Sequence, residues 1–172
     1  MTLDKFTIKA QEAIQQAVSI AQQSGQQSIE PVHLLKGITA KSKDITNFLF
    51  RKLGVNVNHI ELLLEQEIQH LPRVQGGEPY LSNESNRVLQ EAVNISQKLG
   101  DEFVSIEPVL LALLTIGSTA SRIMKDAGIS EKDMRAAIAE LRQGQKVQSQ
   151  SADENYQSLD KYAKNLVEQA RA

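Results

Sequence analysis

Near the start of the chain, apolar residues fall at Ala10, Ala13, Ile14, Ala17, Val18 and Ala21 ahead of Gly25, the spacing of one face of an amphipathic helix. The series returns as Val88, Leu89, Ala92 and Val93, with Ser85 and Ser96 at the outer positions, ahead of Gly100. Just after the first glycine, Ser28-Ile29-Glu30-Pro31-Val32 recurs unchanged as Ser105-Ile106-Glu107-Pro108-Val109. Farther along, the segment from Phe48 to Val55 parallels that from Arg122 to Ile129, so that Gly54 matches Gly128. One structural unit is therefore written twice, with differences in length confined to loops.

Each unit reads as four helices. The first runs from about Thr7 to Ser24, with Thr7 as N-cap and Gly25 as stop; Ser82 is the cap in the second copy. The second helix begins with Pro31 or Pro108 at its first position, where a missing N–H costs nothing. The third covers about Asp44 to Leu53, and its counterpart ends before Gly128. The fourth runs from about Asn56 to Leu71 and is closed by Pro72; its counterpart starts at Ser130, where Ser130-x-x-Asp133 resembles a capping box, and reaches about Gln143. The expectation is an all-α fold of eight helices in two four-helix repeats related by a pseudo-twofold. Repeat one spans about 1–72 and repeat two about 80–144, and the turn-rich connector from Pro72 to Pro79 is short enough to make them pack as one domain. From 145 to 157 the chain is rich in Gln, Ser and charge, which predicts a flexible linker. Over 158–172, Leu159, Tyr162, Ala163, Leu166 and Ala170 form an apolar helical stripe that lacks a partner, as expected of the first helix of a further domain.

Composition narrows the function. With 19 Lys and Arg against 21 Asp and Glu, the formal net charge of −2 gives no drive toward nucleic acid or an anionic membrane. Aromatic content is only 4%, which favours helices over strands. Absence of cysteine excludes disulfides and thiol nucleophiles and accords with a cytoplasmic location, and no long apolar run reads as a signal peptide or membrane span.

No catalytic pattern emerges. His33, His59 and His70 lack the His-Glu-x-x-His spacing of a zinc site, and His33, opposite an apolar Leu110 in the other copy, reads as a partly buried packing residue. Gly76-Gly77 is not embedded in a phosphate-binding loop, so no ATP hydrolysis is expected of this segment. Asp101 and Glu107 could be paired as acid and base, but Glu30 recurs in the place of Glu107, and a carboxylate at a helix start is favoured there electrostatically. Two helical units meeting at a pseudo-twofold leave a groove suited to polypeptide, and Leu89, Val93, Phe103 and Val109 are candidates for its lining. Phe103 lies in the loop by which the second copy exceeds the first.

The double repeat, the paired Ile-Glu-Pro-Val helix starts and Leu71-Pro72-Arg73-Val74-x-Gly76-Gly77 together resemble the Clp N-terminal repeat domain of ClpB-type AAA+ chaperones. The tail from Tyr156 to Arg171 resembles the segment that opens the first ATPase module of that family, so the likeness covers essentially all 172 residues. It implies a non-catalytic substrate-binding domain of a hexameric, ATP- and Mg-dependent machine that disaggregates and helps refold stress-denatured proteins with the DnaK system. The isolated piece is then a monomer that needs no cofactor itself. The same repeats also permit the adaptor-docking domain of a ClpA- or ClpC-type unfoldase. By resemblance, Thr7, Asp101 and Glu107 occupy positions tied to substrate handling and Leu89 lines a peptide groove; Pro108 stands where some members carry leucine.

Overall fold

The computed structural model describes residues 3–153, and the helix expected over 158–172 lies outside them. Eight helices follow in order: α1 (Ile8–Gln23), α2 (Pro31–Lys41), α3 (Lys43–Lys52), α4 (Val57–His70), α5 (Asn83–Lys98), α6 (Ile106–Thr115), α7 (Thr119–Asp126) and α8 (Glu131–Arg142). The expected caps are in place. Thr7 Oγ1 accepts from the Ala10 amide at 3.2 Å, Ser82 Oγ from Ser85 at 3.0 Å and Ser130 Oγ from Asp133 at 3.1 Å.

Two short extended pairings reveal how the repeats are joined. The strand β1 (Ser28–Ile29), just before α2, runs parallel to β2 (Tyr80–Leu81), just before α5. On the other side, Phe6, just before α1, bridges in parallel to Val104, just before α6. In each case the entry to one repeat's first helix pairs with the entry to the other repeat's second helix. This reciprocal exchange is the pseudo-twofold in hydrogen bonds, and it closes a single hydrophobic core drawn from all eight helices.

Within repeat one, α1 and α2 cross at close range because Gly37 has no side chain. A Cβ there would collide with the Ala13 carbonyl oxygen and lie 3.0 Å from the Ala17 amide nitrogen. The small residues Ala13 and Ala17, both buried, complete this contact.

Three expectations are corrected. Helix α6 begins at Ile106, so Pro108 occupies its third position rather than its first. The proline is still harmless, since no N–H of the first turn has an intrahelical acceptor. His33 is not partly but fully buried: its Nδ1 accepts from the Glu30 amide at 2.9 Å, and its Nε2 lies 2.6 Å from Gln26 Oε1. With Nδ1 accepting, the proton sits on Nε2, and burial holds the imidazole pKa down at about 4. The described first part of the expected linker, 145–153, is packed against the domain as a strap. Val147 is buried, its carbonyl accepts from the amides of Glu102 (2.8 Å) and Phe103 (3.3 Å), and Gln150 O accepts from Ile8 N at 2.8 Å. Backbone hydrogen bonds and one valine do what the polar composition hid.

Candidate functional site

Thr7, from the start of the chain, joins Asp101 and Glu107 in a buried polar cluster where the strap meets the ends of α1, α6 and α8. Arg142, the last residue of α8, is at its centre. Its Nη1 lies 2.8 Å from Asp101 Oδ2, its Nε donates to Glu107 Oε1 at 3.2 Å and its Nη2 to Ser105 Oγ at 2.9 Å. Asp101 Oδ1 also accepts from the Val147 amide at 3.0 Å. Thr7 Oγ1 donates to Asp153 Oδ2 at 2.6 Å. Two carboxylates therefore face one guanidinium, and Asp153 stands near enough to Glu107 to feel its charge. Burial raises the Asp153 pKa from an ordinary 3.8 to about 6; the Thr7 hydrogen bond opposes that shift, the Glu107 charge adds to it and Lys9 offsets it.

This cluster is closed. Thr7, Glu107 and Asp153 are fully buried and Arg142 is 5% exposed, so the groups hold the strap and the helix ends rather than meet a ligand. Glu107 and Glu30 are not equivalent after all: Glu107 pairs with Arg142 inside, whereas Glu30 is half-buried at the mouth of a groove. Leu89 and Pro108 are also buried, Leu89 completely within the core, so neither lines an accessible surface here. Among the candidates named from the sequence, Phe103 and Val93 keep partial exposure, each resting on the core, whereas Val109 is buried.

An accessible groove lies elsewhere. It is a shallow groove of about 80 Å3 between the repeats, where the starts of α2, α5 and α7 approach the end of α4. Pro31, Val32 and Ala120 are its buried floor and Leu71 is a wall. Glu30, Glu67 and Glu84 stand on its rim, the latter two exposed. Sequence reasoning missed this site because its residues come from four elements, each contributing only one to three of them. The duplicated Glu-Pro-Val was the available signal, and it marked both this groove and its closed counterpart.

A family model for the Clp repeat (R) N-terminal domain matches residues 5–127. The chain belongs to this family. As a Clp repeat domain it is 56% identical over 172 residues to the chaperone protein ClpB of Bacteroides thetaiotaomicron, covering 100% of this chain and 20% of that relative. The domain thus spans about a fifth of the length of the curated ClpB proteins it matches. Among solved structures, the Hsp104 N-terminal domain from Candida albicans superposes with a TM-score of 0.77 at 26% identity, over 87% of this chain and 99% of that one. A ClpV N-domain in complex with a VipB peptide shares the fold, with a TM-score of 0.65 at 20% identity over 80% of this chain and 86% of that one.

Proposed function

We propose that this Clp repeat domain captures unfolded or aggregated polypeptide for a ClpB-type, ATP-dependent chaperone, and that the open groove between its repeats is the capture surface. The groove carries the reading: it combines an apolar floor with a polar rim and joins both halves of the pseudo-twofold, the usual makings of a peptide site. Similarity to a fifth of ClpB over all 172 residues of this chain supports the parent machine, and the peptide-bound ClpV N-domain supports peptide binding by this fold. In that parent, a cytoplasmic homohexamer, ATP and Mg are held by modules outside this domain. It disaggregates and refolds clients with the DnaK system, while the isolated domain is a monomer of 19.1 kDa.

Titration of the 15N-labelled chain with reduced, carboxymethylated α-lactalbumin, and separately with ATP, tests the reading. Shifts at Val32, Leu71, Thr119 and Ala120 are expected with the polypeptide and none with ATP. Silence of those residues with the polypeptide, combined with shifts on addition of a folded adaptor protein, would instead favour a docking domain for an unfoldase.

A further inference from the structure

The pseudo-twofold places two grooves on the domain, and only one is open. In the open groove Pro31 and Val32 form the floor beneath Glu30, with Glu84 in the first turn of α5. The repeat relates them to Pro108, Val109, Glu107 and Lys9, and relates the cap Ser82 to Thr7. Of that second set, Thr7, Lys9 and Glu107 act on Asp153 at the end of the strap. Gln150 O takes the Ile8 amide at 2.8 Å, and the Gln150 side-chain amide donates to Asp4 O at 3.1 Å. Ala152 is buried, and Asp153 is received by the Thr7 hydroxyl at 2.6 Å within reach of the Lys9 charge. A turn of this chain, with Ala152 and Asp153 already helical, thus sits at the helix start of one of two related grooves. It does so through small residues, backbone hydrogen bonds and one charged side chain.

The open groove keeps the carboxylate of Glu30 for Glu107 and reverses the charge at one position. Glu84 stands where Lys9 stands in its twin, and Glu30 and Glu67 add two more carboxylates, none of them drawn into an ion pair among the described residues. Beyond Glu84 the surface becomes mixed, with Arg122, Lys125 and Asp126 around a shallow hollow, so the discrimination is concentrated at the end bounded by Glu30 and Glu67. We propose that this groove takes a segment of another protein that presents a lysine or arginine between small apolar residues, seated at the helix starts as the turn of the strap is seated in its twin. The proposal rests on the reading of the groove as the capture surface and adds the chemistry of what is captured.

Fluorescein-labelled nonapeptides of Gly, Ser and Ala, with a central Lys, Glu or Leu, are titrated into the full chain by anisotropy, with parallel 15N spectra. Exposed ion pairs contribute a few-fold each and are screened by salt, so the Lys peptide is expected to bind at least about fivefold tighter than the Glu peptide at low salt. The preference shrinks as salt is raised, and the shifts cluster at Val32, Leu71 and Ala120. In the double variant Glu67→Lys, Glu84→Lys, both sites being exposed on helix surfaces, the preference inverts while the circular dichroism is unchanged. Equal affinity for all three peptides, with shifts still in the groove, overturns the charge selectivity and leaves the capture surface standing. Absence of shifts in the groove with the peptides and with unfolded α-lactalbumin alike removes both. Groove shifts that grow with protein concentration alone, together with a mass of twice the monomer, would assign the groove to a second copy and overturn the proposal.

Discussion

Replacing Arg142 with methionine keeps the bulk of the side chain and removes the guanidinium that faces Asp101 and Glu107. Both carboxylates lie in side chains with 0% exposure, and Ser105 Oγ loses its donor as well. Breaking a buried pair by removing one partner costs about 3–5 kcal/mol, because the charge left behind can neither be hydrated nor paired. Here two charges are left behind, so the upper half of that range is expected. A domain of this size is stable by about 5–15 kcal/mol, and the variant forfeits a third or more of it. Guanidinium unfolding followed by helical circular dichroism at pH 7 measures the loss as a lower midpoint at unchanged slope. Adding Glu107→Gln to the variant recovers part of the deficit by removing one of the uncompensated charges. A loss below about 1 kcal/mol for Arg142→Met would refute the claim that this residue holds the cluster together.

Other perturbations probe other parts. Gly37→Ala drives a methyl group into the Ala13 carbonyl and is expected to cost at least about 1–3 kcal/mol in the same denaturation assay; a neutral effect would deny the close α1–α2 crossing. His33 stays neutral at pH 6 with its proton on Nε2, as 15N spectra of the imidazole will report, whereas a titration midpoint near 6.5 would contradict its burial. Since its folded pKa is depressed from 6.5 to about 4, its contribution is complete above 6.5 and is lost as pH falls through 4, about 3 kcal/mol in all. Val147→Asp places a charge where the strap is buried, and accelerated tryptic cleavage after Lys146 with intact helicity is expected; protection equal to that of the parent chain would mean the valine does not anchor the strap.

The duplication made most of the fold legible. A five-residue identity and matched glycines fixed eight helices and their pairing into repeats, and Thr7, Ser82 and Ser130 announced their caps by position alone. Legibility failed where identical residues acquire different surroundings. Glu30 and Glu107 have the same neighbours in sequence, yet one meets solvent at a groove and the other meets Arg142, because the strap closes one copy only. The strap itself was unreadable, since Gln148, Ser149 and Gln150 carry no apolar pattern and its attachment runs through carbonyls and amides. Leu89 illustrates a third limit: an apolar residue at helical spacing reads alike whether it lines a groove or, as here, the core. The resemblance tied Thr7, Asp101 and Glu107 to substrate handling, and the fold brings all three to one buried cluster. Their proximity is explained by a shared structural task, holding α1, α6 and α8 to the strap.

The central claim is that polypeptide is captured in the groove between Pro31, Val32, Leu71 and Ala120. Isotope-filtered NOE spectra of the methyl-labelled chain bound to the lysine nonapeptide test it most directly. Contacts from the peptide to the Val32, Leu71 and Ala120 methyls are predicted, with none to Leu89. Contacts confined to the neighbourhood of Phe103 and the strap, with the groove methyls silent, would contradict it.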